Sequence, residues 1–294
     1  MFLSDASLDQ AAGLRRMGST KPVKVIAVTG GKGGVGKTNI SVNLAASLTR
    51  LGNEVMLLDA DLGLANVDVV LGLSPKLNLS HVMSGEAGLE EVLVDAPGGF
   101  TIVPASSGTQ RMAELTAAEH AGLIRSFSEI ERDVDILLVD TAAGIAEDVV
   151  NFARACRELV IVACDEPSSI TDAYALIKVL NRDYGVERFR MVANRVRSRR
   201  EGQILHQKLS LATDRFLDLT LDFIGGVPED DRLRRAVQKQ QPVVLAYPNS
   251  PSARAFTELA RRVHKWPAPS GAAGNLEFFV ERLIQYSADY GGVV

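Results

Sequence analysis

Short aliphatic runs alternate along this chain with segments whose apolar residues recur every three or four positions. Lys24–Thr29 (KVIAVT) is the first run, and its near-continuous apolar character predicts a strand covered on both faces. After a Gly-rich stretch, Lys37–Leu51 places Ile40, Leu44, Ala45 and Leu48 on one side of a predicted helix. Glu54–Asp59 (EVMLLD) predicts a second strand. Phe100–Val103, Asp135–Asp140, Leu159–Cys164, Phe189–Asn194 and Leu221–Val227 predict the rest. Helices are predicted between them at Ala117–Ile130, Ala146–Ala155, Ser169–Tyr184 and Arg200–Phe216, then at Ser250–His264 and Asn275–Tyr286. Such alternation specifies an α/β fold: three layers, a mostly parallel twisted sheet with helices on both faces.

The pattern also sets boundaries. Residues 1–20 read as an N-terminal motif segment, 21–266 as the sheet-forming domain, 267–274 (PAPSGAAG) as a linker, and 275–294 as a C-terminal amphipathic helix and tail. With 46% hydrophobic and 23% charged residues among 294, the chain is a folded one rather than a disordered one. Its net charge of −4 supplies no bulk field for nucleic acid. The basic cluster Arg188, Arg190, Arg195, Arg197, Arg199 and Arg200 therefore reads as a solvated face, against direct DNA binding. Two cysteines, Cys156 and Cys164, imply a reducing compartment and buried packing. No apolar run is long enough to span a bilayer, and the N-terminus lacks the apolar core of a signal peptide. The expected location is the cytoplasm, with any membrane contact peripheral.

The strongest chemical signal is Gly31–Thr38, G-x-x-x-x-G-K-T between a strand and a helix, which is the context a P-loop requires. Its glycines let backbone N–H groups converge on phosphate, and the helix N-terminus adds partial positive charge. Lys37 is placed to reach the β- and γ-phosphates and the Thr38 hydroxyl to ligate Mg²⁺; Asp140, ending DILLVD, reads as the Walker B aspartate. Asp59 and Asp61 close the second strand, where ligands collect in parallel sheets. The absence of an N-K-x-D signature favours ATP over GTP.

Lys32 is a second lysine inside the loop, and GKGGVGKT resembles the deviant Walker A motif of the MinD/ParA family of ATPases. The resemblance covers about residues 20–265, so residues 21–266 become a P-loop ATPase domain binding ATP/ADP and Mg²⁺. It implies that Lys32 crosses a dimer interface to the partner's nucleotide and that Asp61 positions the attacking water, giving Lys32, Lys37 and Asp61 as the catalytic set. Gly31, Lys32, Gly33, Gly34, Val35, Gly36, Lys37, Thr38 and Asn39 would hold the nucleotide. Thr38, Asp59 and Asp140 would hold Mg²⁺, the aspartates through water. Thr141–Ile145 matches the family's second switch, in which the Gly144 amide senses the γ-phosphate. Asn194 and the loop Pro228-Glu229-Asp230 would bracket adenine; the alternative reading of Asn194 is a turn residue.

Three segments resemble the family's flagellar-number regulators more narrowly: Asp9–Arg15 (DQAAGLR), Asp165–Tyr174 and Glu277–Leu283, beside the MinD-like stretch Asp61–Asp68. The first looks like a DQAxxLR motif that stimulates the flagellar SRP-like GTPase FlhF; alone, it reads equally as an amphipathic stub. The implied function is an ATP-bound homodimer with slow hydrolysis that limits flagellar number. Its implied partners are FlhF, a transcription activator of the FleQ/FlrA type and flagellar switch-ring proteins, at the inner membrane surface near the cell pole. MinD-type septum placement, ParA-type DNA partitioning and a non-hydrolysing nucleotide-binding scaffold are the alternatives. The aromatic residues bear on the tail. None lies between Pro22 and Gly99, yet Trp266, Phe278, Phe279, Tyr286 and Tyr290 crowd the last 29 positions. There Asn275 precedes a stripe of Leu276, Phe279, Val280, Leu283 and Ile284, suited to a membrane surface, a partner groove or the chain's own core.

Overall fold

The computed structural model describes residues 22–61, 66–104, 116–269 and 276–290. The Asp9–Arg15 motif, Leu62–Ala65 and Asn275 lie outside the described residues. The strands are β1 (Lys24–Gly30), β2 (Val55–Ala60), β3 (Val94–Asp95), β4 (Thr101–Val103), β5 (Ile136–Ala143), β6 (Glu158–Ala163), β7 (Arg188–Val196) and β8 (Thr220–Pro228). They form one sheet in the order β3-β4-β2-β5-β1-β6-β7-β8. Every neighbouring pair is parallel except β3 against β4, so the expected mostly parallel sheet is what forms.

Side chains alternate along the strands and divide the core into two layers. In β1, Val25 and Ala27 point into one layer, and Ile26 and Val28 into the other. The second layer is covered by α1 (Lys37–Thr49), α2 (Val67–Leu71), α9 (Asp231–Gln238), α10 (Val243–Ala246) and α11 (Pro251–His264). The first is covered by α3 (Leu79–Met83), α4 (Leu89–Val92), α5 (Ala117–Ser128), α6 (Glu147–Ala155), α7 (Pro167–Arg182), α8 (Arg199–Phe216) and α12 (Leu276–Tyr290). The predicted long helices all form. α7 starts two residues earlier than the apolar period indicates, because Pro167 occupies its first turn, where a missing N–H is harmless. The two-residue β3, the short α2, α3, α4 and α10, and α9 have no predicted counterpart.

The tail stripe has a partner within the chain. Leu276, Phe279, Val280 and Leu283 are buried in the first core layer, with Ile284 half-buried beside them. α12 packs on α6 and α5. Arg154 of α6 lies between the rings of Tyr184 and Tyr286, 3.9 Å from each centroid. No helix among the described residues is long and apolar enough to cross a membrane.

The arginine cluster is not one face. β7 carries Arg188 and Arg190 at its start and Arg195 near its end, roughly 20 Å apart at strand rise. Arg188 pairs with Asp222. Arg190 is buried, pairs with Glu158 and stacks over Trp266, correcting its place on a solvated surface. Both cysteines are buried and free, as their expected packing role requires.

Candidate functional site

The carboxyl ends of β1, β2 and β5 converge on one point, the usual ligand position in a parallel sheet. The loop after β1 passes directly into α1. Gly31 lies against the backbone of α7, where an added Cβ would sit 2.0 Å from the Asp172 carbonyl oxygen. Gly36, the residue before α1, has φ 92°, and a Cβ there would meet Asn194 Nδ2 at 2.4 Å. Both positions therefore require glycine. Gly36 offers no side chain to cap α1, so the first-turn amides face the loop and favour an anion. Val35 buries its side chain in the core, and its carbonyl accepts from Asn194 Nδ2 at 2.7 Å, tying the loop to β7.

Strand register sets Asp59 opposite Asp140 across β2 and β5. Both are almost wholly buried. Asp140 accepts from Ser41 Oγ at 2.8 Å and bonds the Thr38 hydroxyl. Asp59 accepts backbone N–H groups of Asp61 (3.2 Å), Asn66 (3.0 Å) and Val67 (3.1 Å). It thus ties Asp61 to Asn66 and Val67. Burial pushes the Asp59 carboxyl up to about 7, with the Asp140 charge adding to the rise. Burial pushes Asp140 up to about 6 against the hydroxyl bonds and the Lys37 charge. Lys37 is buried beside them, and burial lowers its pKa against the opposing pull of Asp140 and Asp61. Asn66 Nδ2 approaches Asp61 Oδ2 at 3.5 Å.

This donor set fits a magnesium nucleotide. Two crowded, buried carboxylates and a hydroxyl would gain from a divalent cation, and the Lys37 ammonium from phosphate. Among the described residues no group of three or more His, Cys, Asp or Glu forms an all-protein metal cage. Magnesium shared with phosphate oxygens needs only one or two carboxylates. Thr38, Asp59 and Asp140 would hold it, as the sequence places them.

Beside the loop lies a cavity of about 420 Å³, walled by Gly36, Asn39, Asn194, Arg195, Pro228 and Glu229. Asn39 Oδ1 is buried without a partner, an acceptor awaiting a donor. Asp230 also borders the cavity, but its carboxylate is committed to Arg232 N (2.8 Å), Ser252 N (3.0 Å) and Ser252 Oγ (2.6 Å). It anchors α9 and α11, and its side chain is a structural staple. The Glu229 N–H is taken by the Val196 carbonyl.

Lys32 turns toward the start of α7, donating to Glu166 Oε2 at 3.0 Å and Ser168 Oγ at 2.7 Å. The Gly144 N–H donates to the Gly30 carbonyl at 3.1 Å, so the amide expected to sense phosphate is engaged by the P-loop strand. Sequence reasoning missed Ser41, Arg195 and the Glu166–Ser168 pair as site residues. Ser41 stands four residues after Lys37, one helical turn along the same face, which is the signal that could have found it.

A family model described as the CobQ/CobB/MinD/ParA nucleotide binding domain matches residues 26–243. A Pseudomonas aeruginosa protein named Antiactivator FleN is 58% identical over 275 residues, covering 94% of this chain and 98% of its own. The Helicobacter pylori flagellum site-determining protein YlxH is 34% identical, covering 90% of each. Among solved structures, septum site-determining protein MinD from Pyrococcus horikoshii, complexed with Mg-ADP, superposes with a TM-score of 0.67 at 27% identity. That match covers 83% of this chain and 96% of the other.

Proposed function

The chain belongs to the CobQ/CobB/MinD/ParA nucleotide-binding family, and from that premise we propose that it is an ATP-switched, dimerising regulator of flagellar number. The flagellar branch is favoured over septum placement by the identity gap, 58% to the antiactivator against 29–32% to septum site-determining MinD relatives. In this reading the loop amides and Lys37 hold the β- and γ-phosphates, and Thr38, Asp59 and Asp140 hold Mg²⁺, which neutralises phosphate charge when bound. Asp61 accepts a hydrogen bond from the attacking water and orients it. Water oxygen bonds to the γ-phosphorus, the bond to the β–γ bridging oxygen breaks, and ADP and phosphate leave. The output is a shift between monomer and dimer, so turnover need only be slow.

The observation that carries this reading is Lys32. It lies in the P-loop yet bonds Glu166 and Ser168 of its own chain. Lys37 already serves the chain's own phosphates, and Lys32 is available to a second subunit once those partners release it. Through the dimer the protein would act on an SRP-like GTPase and a flagellar transcription activator. The test is Lys32→Ala: ATP binding should persist while the ATP-dependent dimer is lost in light scattering. An undiminished dimer would refute the role across the interface. Asp61→Ala should dimerise with ATP and release no phosphate; normal turnover would reassign the water-orienting residue.

A further inference from the structure

Among the described non-glycine residues only Arg195 and Gln240 have positive φ. Gln240, at 53°, follows the end of α9. Its N–H donates to the Val237 carbonyl at 2.9 Å, and the Gln241 N–H donates to the Ala236 carbonyl at 3.1 Å. That paired return closes the helix through a left-handed residue, where glycine is the usual occupant because it has no Cβ to crowd. The backbone therefore gives no reason for glutamine, but the side chain does. Gln240 Nε2 donates to the Val69 carbonyl of α2 at 3.1 Å. The same side chain lies over Gly72, the left-handed residue that ends α2. A Cβ on Gly72 would meet Gln240 Oε1 at 2.7 Å and Cδ at 2.9 Å, so the two helix ends interlock.

With five residues, α2 is too short to stand on its own intrahelical bonds. Val67 and Leu71 bury one side of it, and side chains from other elements hold its ends. At the start, the Asp59 carboxylate accepts the Asn66 and Val67 N–H groups. At the finish, the Val69 carbonyl receives the Gly72 N–H at 3.3 Å, and Gln240 supplies a second, shorter donor. Asp59 also accepts the Asp61 N–H, and Asn66 Nδ2 lies 3.5 Å from Asp61 Oδ2. A shift of α2 is therefore felt at Asp61. We propose that Gln240 is a positioning residue for hydrolysis, a clamp from α9 that fixes α2 and so holds Asp61 where it orients water. This rests on the reading of Asp61 as the water-orienting residue. Gln240 bonds α2 rather than the P-loop, so its loss acts on turnover and not on nucleotide binding.

Phosphate release, calorimetric titration with Mg-ADP and hydrogen exchange on the full chain test the assignment. Gln240→Gly keeps the backbone and removes the clamp. Gln240→Glu keeps the length and the backbone cost but puts an acceptor where the donor was. In both, kcat should fall about 3- to 10-fold, the scale of one hydrogen bond. KM for Mg-ATP and affinity for Mg-ADP should stay unchanged. Amides of residues 70–73 should exchange faster while those of β2 and β5 keep their protection. Unchanged kcat in Gln240→Gly overturns the proposal, whatever Gln240→Glu does. Mg-ADP affinity and melting temperature that fall together with kcat would reassign Gln240 to general structure and overturn it too. An unaltered protein without turnover, or normal turnover in Asp61→Ala, would instead refute the reading beneath the proposal, and the proposal with it.

Discussion

Replacing Phe279 by alanine should undock the C-terminal helix while leaving the ATPase core folded. Phe279 is 1% exposed, at the centre of the stripe that α12 sets against α6 and α5. Removing a buried phenyl ring costs about 3–5 kcal/mol, from lost transfer energy and the cavity left behind. At about 1.4 kcal/mol per decade, that moves the docking equilibrium by roughly two to three and a half decades. The core strands do not share the loss, because α12 caps their layer from outside α5 and α6. Once released, a 15-residue helix is marginal in water and should fray. Hydrogen exchange followed by mass spectrometry reads this directly. Amides of residues 279–287 should lose protection in Phe279→Ala while those of β1 and β5 keep theirs. Arg154→Ala, which removes one cation from between Tyr184 and Tyr286, should act in the same direction at about 0.5–2 kcal/mol per ring. Tail amides as protected as in the unaltered protein, or exchange only through global unfolding, would refute the reasoning.

Two further outcomes follow from the site. Glu166→Ala with Ser168→Ala removes both Lys32 partners, so the ATP-dependent dimer should form at lower protein concentration; light scattering showing an equal or weaker dimer would end the view of this contact as a restraint. Asp59 and Asp140 keep protons to about 7 and about 6, whereas unfolded carboxylates release theirs near pH 4. The folded state then binds the excess protons between about pH 4 and 7, so the pair's contribution to stability falls as pH rises through that window and is level above it. Asp59→Asn should flatten this slope in the melting temperature of the nucleotide-free protein, and an unaltered slope would remove the pair as its source.

The central strands were legible because each is buried on both faces and therefore reads as an unbroken aliphatic run. β3 has two residues and no period to read, and α2, α3, α4 and α10 have five residues or fewer, about one turn each. In the site, the P-loop and its carboxylates follow from spacing, since glycine, lysine and strand-end aspartate each answer a geometric need. Three features had no such signature. Asp230 looks like a cavity residue in sequence but is drawn off to Ser252, 22 positions away. Lys32 finds Glu166 and Ser168 across more than 130 positions, through the packing of α7 on the loop. Gly144 donates to Gly30 because β5 lies beside β1, a neighbour relation that only the strand order creates. The tail stripe was visible as a stripe, but the same pattern suits a membrane, a partner or a core, and only the apolar groove of α5 and α6 selects among them.

The phosphate site and the docked tail share one stretch of chain. β5 brings Asp140 to the site, Gly144 closes on Gly30, exposed Ile145 follows, and α6 begins at Glu147. Arg154, toward the other end of α6, sits between Tyr184 and the tail's Tyr286. A ligand that drew the Gly144 amide from the Gly30 carbonyl would act on the segment leading into α6, and so on the surface that α12 covers. Coupling needs an element that both sites bias, and α6 is the element that adjoins both, following β5 at the site and packing against α12. By reciprocity, whatever free energy ATP contributes to releasing the tail, tail release contributes to ATP binding. The Phe279→Ala protein should therefore bind ATP more tightly than the unaltered protein. Equal affinities, measured beside confirmed loss of tail protection, would show that the two sites are energetically separate despite the helix they share.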